Sequence, residues 1–426
     1  MNGIARNQTN GSQLRLVYII GTYPLLTTTF IDREIRSLRR EGVDVHVLAV
    51  RRPPTGSPLS ADQRELQKGV QYMLPLSPAA VLAAQVYYAL RRPVLFFGTL
   101  TYLLTRPHPG LAARWKTLLH FGQGVYGAFL LRRRKITELH AHFLDRAATI
   151  ALVAGRLLGV PYSLSIHAGA DIYVHPVLIR EKLTHARQAV TCTVYNKRHL
   201  ETLLQQDLNG KITCIPHGLD RSGYTPPDQP PEGRILILTV GQLAERKGFR
   251  YLIEACALLR ERGLDFECQI VGGGLQRSQL EELIKKIGLA GQVNLTGALP
   301  HEQVMQKYRQ ATLFVMPCIQ TAEGDVDGIP NVLLEAMAME LPVISTEVSA
   351  VPELIKPEWN GLLVPPNDAS ALAEAILRLL GDRELREAIA RRGRETVLAE
   401  YDIEANIRRF YNTLWANGKL MEEGLV

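Results

Sequence analysis

Leu14-Arg-Leu-Val-Tyr-Ile-Ile20 is followed by Gly21-Thr-Tyr-Pro24, then by Phe30-Ile-Asp-Arg-Glu-Ile-Arg-Ser-Leu-Arg-Arg40, Gly42 and the run Val43 to Val50. The first stretch is apolar and rich in β-branched residues, as a buried strand requires. The second places Phe30, Ile31, Ile35 and Leu38 on one face at helical spacing, and Gly42 stands where a helix tends to end. Val43 to Val50 reads as the next strand. Strand, helix and strand joined by short turns predict an α/β fold that opens a doubly wound parallel sheet.

The same rhythm returns along the chain. Strand-like runs end at His140-Ala-His142-Phe143 and at Tyr162-Ser-Leu-Ser-Ile-His167, with a helix from Ala147 to Leu158 between them. Ala189 to Val194 reads as a further strand, followed by a helix through Leu204, and Lys211 to Asp220 is the last of this half. Gly223-Tyr-Thr-Pro-Pro-Asp-Gln-Pro-Pro-Glu-Gly233 reads as a linker. A second series then starts at Arg234 to Gly241 and continues through Glu267 to Gly274, strands near Val293 and Leu313, and Pro342 to Ser345. The expected domains are 1–222, with a helical insertion near 75–131, then a linker at 223–233 and a second domain at 234–405. A C-terminal helix at 406–426 is expected to cross back to the first domain. The chain's 426 residues suffice for two domains of this kind.

Charge divides along the same line. Residues 1–222 carry 28 Lys and Arg against 13 Asp and Glu, whereas residues 223–426 carry 21 against 29, so +15 and −8 give the net +7. A basic first half suits an anionic membrane surface or a phosphate-bearing acceptor. No nucleic acid partner is expected, because no nucleic-acid-binding motif appears and the Arg residues are not interleaved with aromatics. The apolar runs Val81 to Leu90 and Val94 to Leu104 are each well short of the roughly 20 residues that span a bilayer, and Arg91 and Arg92 separate them. They read as helices packed on the sheet, with an apolar surface in the membrane interface as a compatible second role. The five cysteines are scattered, with neither a disulfide framework nor a zinc spacing. A cytoplasmic setting, peripheral on the inner face of the cell membrane, is the expectation.

The chemistry concentrates in Asp327-Gly-Ile-Pro-Asn-Val-Leu-Leu-Glu335, where two carboxylates stand eight residues apart. Pro330 suits the start of a helix. A loop carrying Asp327 and a helix carrying Glu335 would set backbone N–H groups and carboxylates beside an anionic, hydroxyl-rich ligand. This stretch resembles the Glu-x7-Glu motif of retaining GT-B glycosyltransferases, in particular glycosyltransferase family 4, with Asp327 in place of the first Glu. Gly241-Gln242-Leu-Ala-Glu-Arg246-Lys247-Gly248 is similar to the family's Gly-Arg-Leu…Lys-Gly segment, and the phrase Tyr23 to Ile31 resembles exopolysaccharide-type members.

The resemblance implies two Rossmann-like domains facing across a cleft, and a hexose transferred from a nucleotide-diphosphate sugar to an acceptor hydroxyl with retention. UDP or GDP would be the donor nucleotide. A saccharide, lipid-linked or small-molecule acceptor is implied, and neither a metal nor another cofactor. Lys247 would grip the diphosphate, Asp327 the hexose and Glu335 the ribose. Gly328, Ile329 and Asn331 would offer backbone N–H groups, with Pro330 among them offering none, and Gly273 would lie beside the nucleotide. The family's Arg falls on Gln242, and Arg246 is the candidate to replace it. His167 would approach the reacting carbon, while Gly21, Thr22 and His142 would belong to the acceptor side. Two rival readings are a non-catalytic or weakly active nucleotide-sugar binder and an epimerase or hydrolase on the same fold.

Overall fold

The computed structural model describes residues 14–57, 59–228 and 233–416. Residues 229–232 of the expected linker and 417–426 of the expected C-terminal helix lie outside them.

The chain divides into two compact units. The first alternates β1 (Arg15–Thr22), α1 (Thr29–Arg40), β2 (Asp44–Arg51), α2 (Ala61–Lys68) and β3 (Val70–Tyr72). Three consecutive helices follow, α3 (Pro78–Arg91), α4 (Pro93–Thr105) and α5 (Leu111–Leu131). The alternation resumes with β4 (Glu138–His142), α6 (Arg146–Leu158), β5 (Tyr162–Ile166), α7 (Ala170–Tyr173), α8 (Ile179–His185), β6 (Ala189–Thr191), α9 (Val194–Leu204) and β7 (Ile212–Cys214). All seven strands run parallel in the order β3-β2-β1-β4-β5-β6-β7. Ile19 pairs with Leu48 on one side and Ala141 on the other, at the centre of the core.

The second unit holds β8 (Ile235–Val240), α10 (Phe249–Glu261), β9 (Phe266–Val271), α11 (Arg277–Lys286), β10 (Val293–Gly297), α12 (His301–Gln310) and β11 (Leu313–Met316). It continues with α13 (Asn331–Ala338), β12 (Val343–Thr346), α14 (Val351–Leu354), β13 (Leu362–Val364), α15 (Ala369–Gly381) and α16 (Arg383–Glu400). Its six strands are also parallel, in the order β10-β9-β8-β11-β12-β13. Helix α17 (Ile403–Tyr411) begins in the second unit, and residues 406–416 group with the first. There Phe410 and Trp415 pack their rings against His140.

The expected α/β fold of two parallel sheets is present. In each sheet the strand order reverses once, between β1 and β4 and between β8 and β11. Loops leaving the carboxyl ends of strands at such a switch point part to opposite faces and leave a crevice for ligands. Several elements differ from the expectation. β1 runs on through Gly21 to Thr22, because Thr22 still pairs with Arg51. Residues 61–72, unassigned by periodicity, form α2 and β3 and extend the sheet beyond β2. The insertion contains a third helix, α5, in addition to those covering the two apolar runs.

Candidate active site

Two loops meet at the switch point of the second sheet. One leaves β8 and carries Gln242, Arg246 and Lys247; the other leaves β11 and carries Asp325 and Asp327. Glycines allow the first loop to sit where it does. Gly248 adopts φ +65° against the Pro317 carbonyl, where a Cβ would stand 1.9 Å from that oxygen. The backbone N–H of Ile319 also donates to the Arg246 carbonyl at 2.9 Å, tying the loops together. Gly272, with its φ of +155°, lies so close to Gly241 that a Cβ would come within 1.8 Å of the Gly241 oxygen. Gly273 accepts from Leu243 N–H at 2.9 Å. The Gly272-Gly-Gly274 turn is therefore held against the loop that carries the cations.

Side chains complete the cluster. Arg246 Nε donates to Asp327 Oδ1 at 2.9 Å and its Nη1 to Asp325 Oδ2 at 3.2 Å, while Lys247 Nζ lies 2.8 Å from Asp327 Oδ2. Arg246 Nη2 also donates to the Gln242 side-chain oxygen at 3.3 Å. The guanidinium thus stands directly beside the position where the resemblance expects one. Burial pushes the Asp327 carboxyl pKa upward, but the charges of Lys247 and Arg246 outweigh this and hold it below the ordinary value. Conversely, burial lowers the Lys247 ammonium pKa and Asp327 more than restores it. Cys318 lies under the cluster, its Sγ 3.9 Å from Asp327 Oδ2. Burial pushes its thiol up to about 12.

Asp327 precedes α13, and Pro330 occupies the N-cap position of that helix in extended conformation. Glu335 lies just over a turn inside, 6% exposed, and its Oε2 accepts from the Tyr308 hydroxyl at 3.2 Å. Gly328 and Pro330 are buried, whereas Ile329 and Asn331 are half-buried. The Asn331 side-chain oxygen lies 3.2 Å from His217 Nδ1. Glu323 is exposed, so of the two neighbouring acids it is Asp325 that joins the cluster.

A second constellation lies in the first unit, at the carboxyl ends of β1, β4 and β5. His167 follows β5 directly, and its Nε2 is 3.1 Å from His142 Nδ1, with the two rings stacked 5.3 Å apart. His142 Nε2 stands 3.3 Å from Glu34 Oε1, and the Tyr18 hydroxyl donates to the same oxygen at 2.5 Å. Phe30 and Phe143 flank the His167 ring. The side chain of His142, grouped with the acceptor-side residues on sequence, is wholly buried and touches His167. Gly21 and Thr22 end β1 nearby in sequence order, with Gly21 close to the Asp145 carboxylate.

Glu34, His140 and His142 bring their ligand atoms within 4.8 Å of one another, the spacing of a metal site. His140, however, has Nδ1 at 2.8 Å from Ser163 Oγ and Nε2 at 2.9 Å from Ser165 Oγ. Burial pushes its pKa well down, so the ring is a neutral member of a hydrogen-bonded network.

A family model described as glycosyl transferases group 1 matches residues 224–396, the second unit and its cluster. Alpha-D-kanosaminyltransferase of Streptomyces kanamyceticus is 30% identical over 304 residues, covering 65% of this chain and 76% of that protein. This chain belongs to the group 1 glycosyltransferases. WcaL of Salmonella typhimurium, named for colanic acid biosynthesis, is 27% identical across 94% of this glycosyltransferase and 99% of its own length. For WcaL of Escherichia coli the match is 35% over 208 residues, 48% of this chain and about half (51%) of that protein. Among solved structures, Anabaena HepE in complex with UDP superposes with a TM-score of 0.67 at 14% identity, covering 95% of this chain and all of that one. At that identity the likeness shows the fold, which is GT-B.

The sequence motifs point to Asp327, Glu335, Arg246 and Lys247 as candidates. They do not reveal Tyr308, Cys318, Tyr18 or Glu34. Tyr308 and Glu34 read as ordinary helix residues in α12 and α1, and no spacing connects them to Glu335 or His142. Only a polar residue on a face that turns out buried could have signalled them.

Proposed function

We propose that this glycosyltransferase moves a hexose from a nucleotide-diphosphate sugar, UDP or GDP, to a hydroxyl of a saccharide, lipid-linked or small-molecule acceptor, with retention of configuration. The observation that carries the reading is the Arg246–Asp327–Lys247 cluster at the switch point of the second sheet. Two cations beside the carboxyl end of β8 suit a diphosphate whose charge grows as the sugar departs. Asp327, kept ionised, suits hexose hydroxyls. Tyr308 fixes one oxygen of Glu335, which orients that carboxylate for a ribose.

Retention is carried over from the family resemblance. Asp327, paired with two cations at 2.9 and 2.8 Å, is assigned to sugar hydroxyls rather than to a double displacement. The acceptor oxygen would instead attack the anomeric carbon on the face the phosphate leaves, the C–O bond to phosphate breaking as the phosphate oxygen takes the acceptor's proton. His167, held by His142, would approach the reacting carbon. The UDP complex of HepE supports a UDP donor, and the WcaL relatives support an acceptor in polysaccharide assembly. The basic first half supports work at an anionic membrane surface.

The experiment is a thermal-shift and turnover screen with UDP-, GDP-, ADP- and dTDP-sugars, with and without Mg²⁺. A shift specific to one nucleotide, with slow release of free nucleotide, is the expected result. No shift with any of them overturns the donor site. Gln242 favours one second reading, a binder without turnover, because its neutral amide cannot balance leaving-group charge. A nucleotide-specific shift with no turnover in the presence of a range of saccharide acceptors would favour it.

A further inference from the structure

The three inserted helices expose an unusual surface. α3, α4 and α5 pack on one another through buried Ala84, Tyr88, Phe96, Leu103 and Phe121, and α5 packs on α6. Their outward faces are also apolar. Leu82, Val86 and Leu90 recur every fourth residue along α3, which aligns them on one exposed stripe. Leu111, Trp115 and Leu119 repeat the pattern on the first half of α5. Val94 and Phe97 stand out from α4, which carries no charged residue. Exposure reaches 78% at Leu90, 83% at Val94 and 80% at Leu111. Ten of the fifteen large apolar side chains exposed among the described residues belong to these helices. Isolated exposed apolar residues are ordinary; such a concentration marks a surface that another phase covers.

The charges around it are of one sign. Residues 66–137 contain no Asp or Glu, while Arg91, Arg92, Arg106, Arg114 and Lys116 lie in or between the three helices and Arg132-Arg-Arg-Lys135 follows them. Arg114 and Lys116 flank Trp115. An aromatic residue between basic neighbours on an apolar stripe matches the level of a bilayer where acyl chains meet headgroups. None of the helices is long and apolar enough to cross a membrane.

We propose that the outward faces of α3, α4 and the first half of α5 rest on an anionic phospholipid surface, the Leu, Val, Phe and Trp side chains entering the interface and the Arg and Lys residues meeting lipid phosphates. This rests on the membrane reading above and assigns it to one surface. The combination separates a lipid bilayer from a second copy of this chain: a self-contact through these faces would bring basic residues together with no acid in the insertion to offset them.

The test is co-sedimentation of the full chain with phosphatidylcholine vesicles and with mixed phosphatidylglycerol–phosphatidylcholine vesicles. Three variants are compared: Leu82→Ser/Val86→Ser/Leu90→Ser, Leu111→Ser/Trp115→Ser/Leu119→Ser, and Arg114→Glu/Lys116→Glu. Each site is exposed, and unchanged circular dichroism and melting temperature confirm folding. The expected result is salt-sensitive binding to the anionic vesicles only, weakened roughly tenfold or more in each variant. A blue shift of tryptophan emission on binding, absent in Trp115→Phe, would accompany it. Undiminished binding by all three variants overturns this surface and leaves the membrane reading standing. Failure of the parent protein to bind overturns both. Equal binding to neutral vesicles overturns the anionic preference. An oligomer that the apolar variants dissociate, without vesicle binding, assigns the face to a second copy and overturns the proposal.

Discussion

The Lys247 ammonium lies 2.8 Å from the Asp327 carboxylate, and Arg246 holds the other oxygen of that carboxylate at 2.9 Å. Groups that the proposed reaction assigns to different parts of the donor are thus paired with each other. A diphosphate would recruit the two cations from Asp327, and the carboxylate released would be available to sugar hydroxyls. Exchanging one set of ion pairs for another limits the desolvation that donor binding requires.

Replacing Asp327 by Ala leaves two cations with less opposing charge. The expected loss of stability is about 2–3 kcal/mol, below the figure for a fully buried pair because the side chains keep 11–27% exposure. Denaturant melts measure it. Asp327→Glu keeps the charge and is expected to recover most of the stability.

Arg246 and Gln242 are expected to share one role. Arg246→Ala should lower nucleotide release by roughly 10²–10³-fold, the usual cost of removing one preorganised donor from a transition state. Gln242→Arg alone replaces the oxygen that accepts from Arg246 Nη2 at 3.3 Å with a second cation, so it should lower the melting temperature. In the double variant, Gln242→Arg should restore part of the turnover lost with Arg246→Ala. No rescue would separate the two positions.

Glu34 and His142 are expected to act through His167. His142→Phe removes the 3.1 Å contact to His167 Nε2, and Glu34→Gln removes the charge beside His142. Both should lower kcat with little change in donor KM, and Glu34→Gln should move the pH profile of kcat. Equal damage to kcat and donor binding, with an unmoved profile, would leave the network a structural role.

Glu138's contribution to stability should fall as pH rises from about 4 to about 7. Burial pushes Glu138 up to about 7, with Arg187 opposing, against an unfolded value of about 4.3. A carboxyl whose folded pKa is raised favours folding while protonated. Its contribution is complete below the unfolded value and lost as pH climbs through the folded one. Glu138→Gln should flatten that slope by roughly 1–3 kcal/mol, read from melting temperature against pH. Asp327 and Lys247 are shifted the opposite ways, down and up, so their pair should persist throughout the neutral range.

Legibility varied with the range of the interactions involved. β1, α1 and β2 follow from local patterning, because β-branched runs and a one-sided helix state their own burial. β3 did not, since three half-buried residues carry no alternation to read. In α3 and α4 the apolar residues surround the helices, so periodicity gave the elements and withheld which side faces outward.

By itself the sequence determined two parallel α/β sheets, the Asp327 to Glu335 phrase and the basic cluster after β8, because backbone preferences and short spacings act within a few residues. Tertiary structure alone decided that Arg246 stands beside Gln242, that Tyr308 fixes Glu335, that Glu34 backs His142, and that the insertion turns apolar residues outward. These depend on strand order and on which faces meet, and a hydrogen bond or ion pair forms only when the folded chain brings its two ends within about 3 Å.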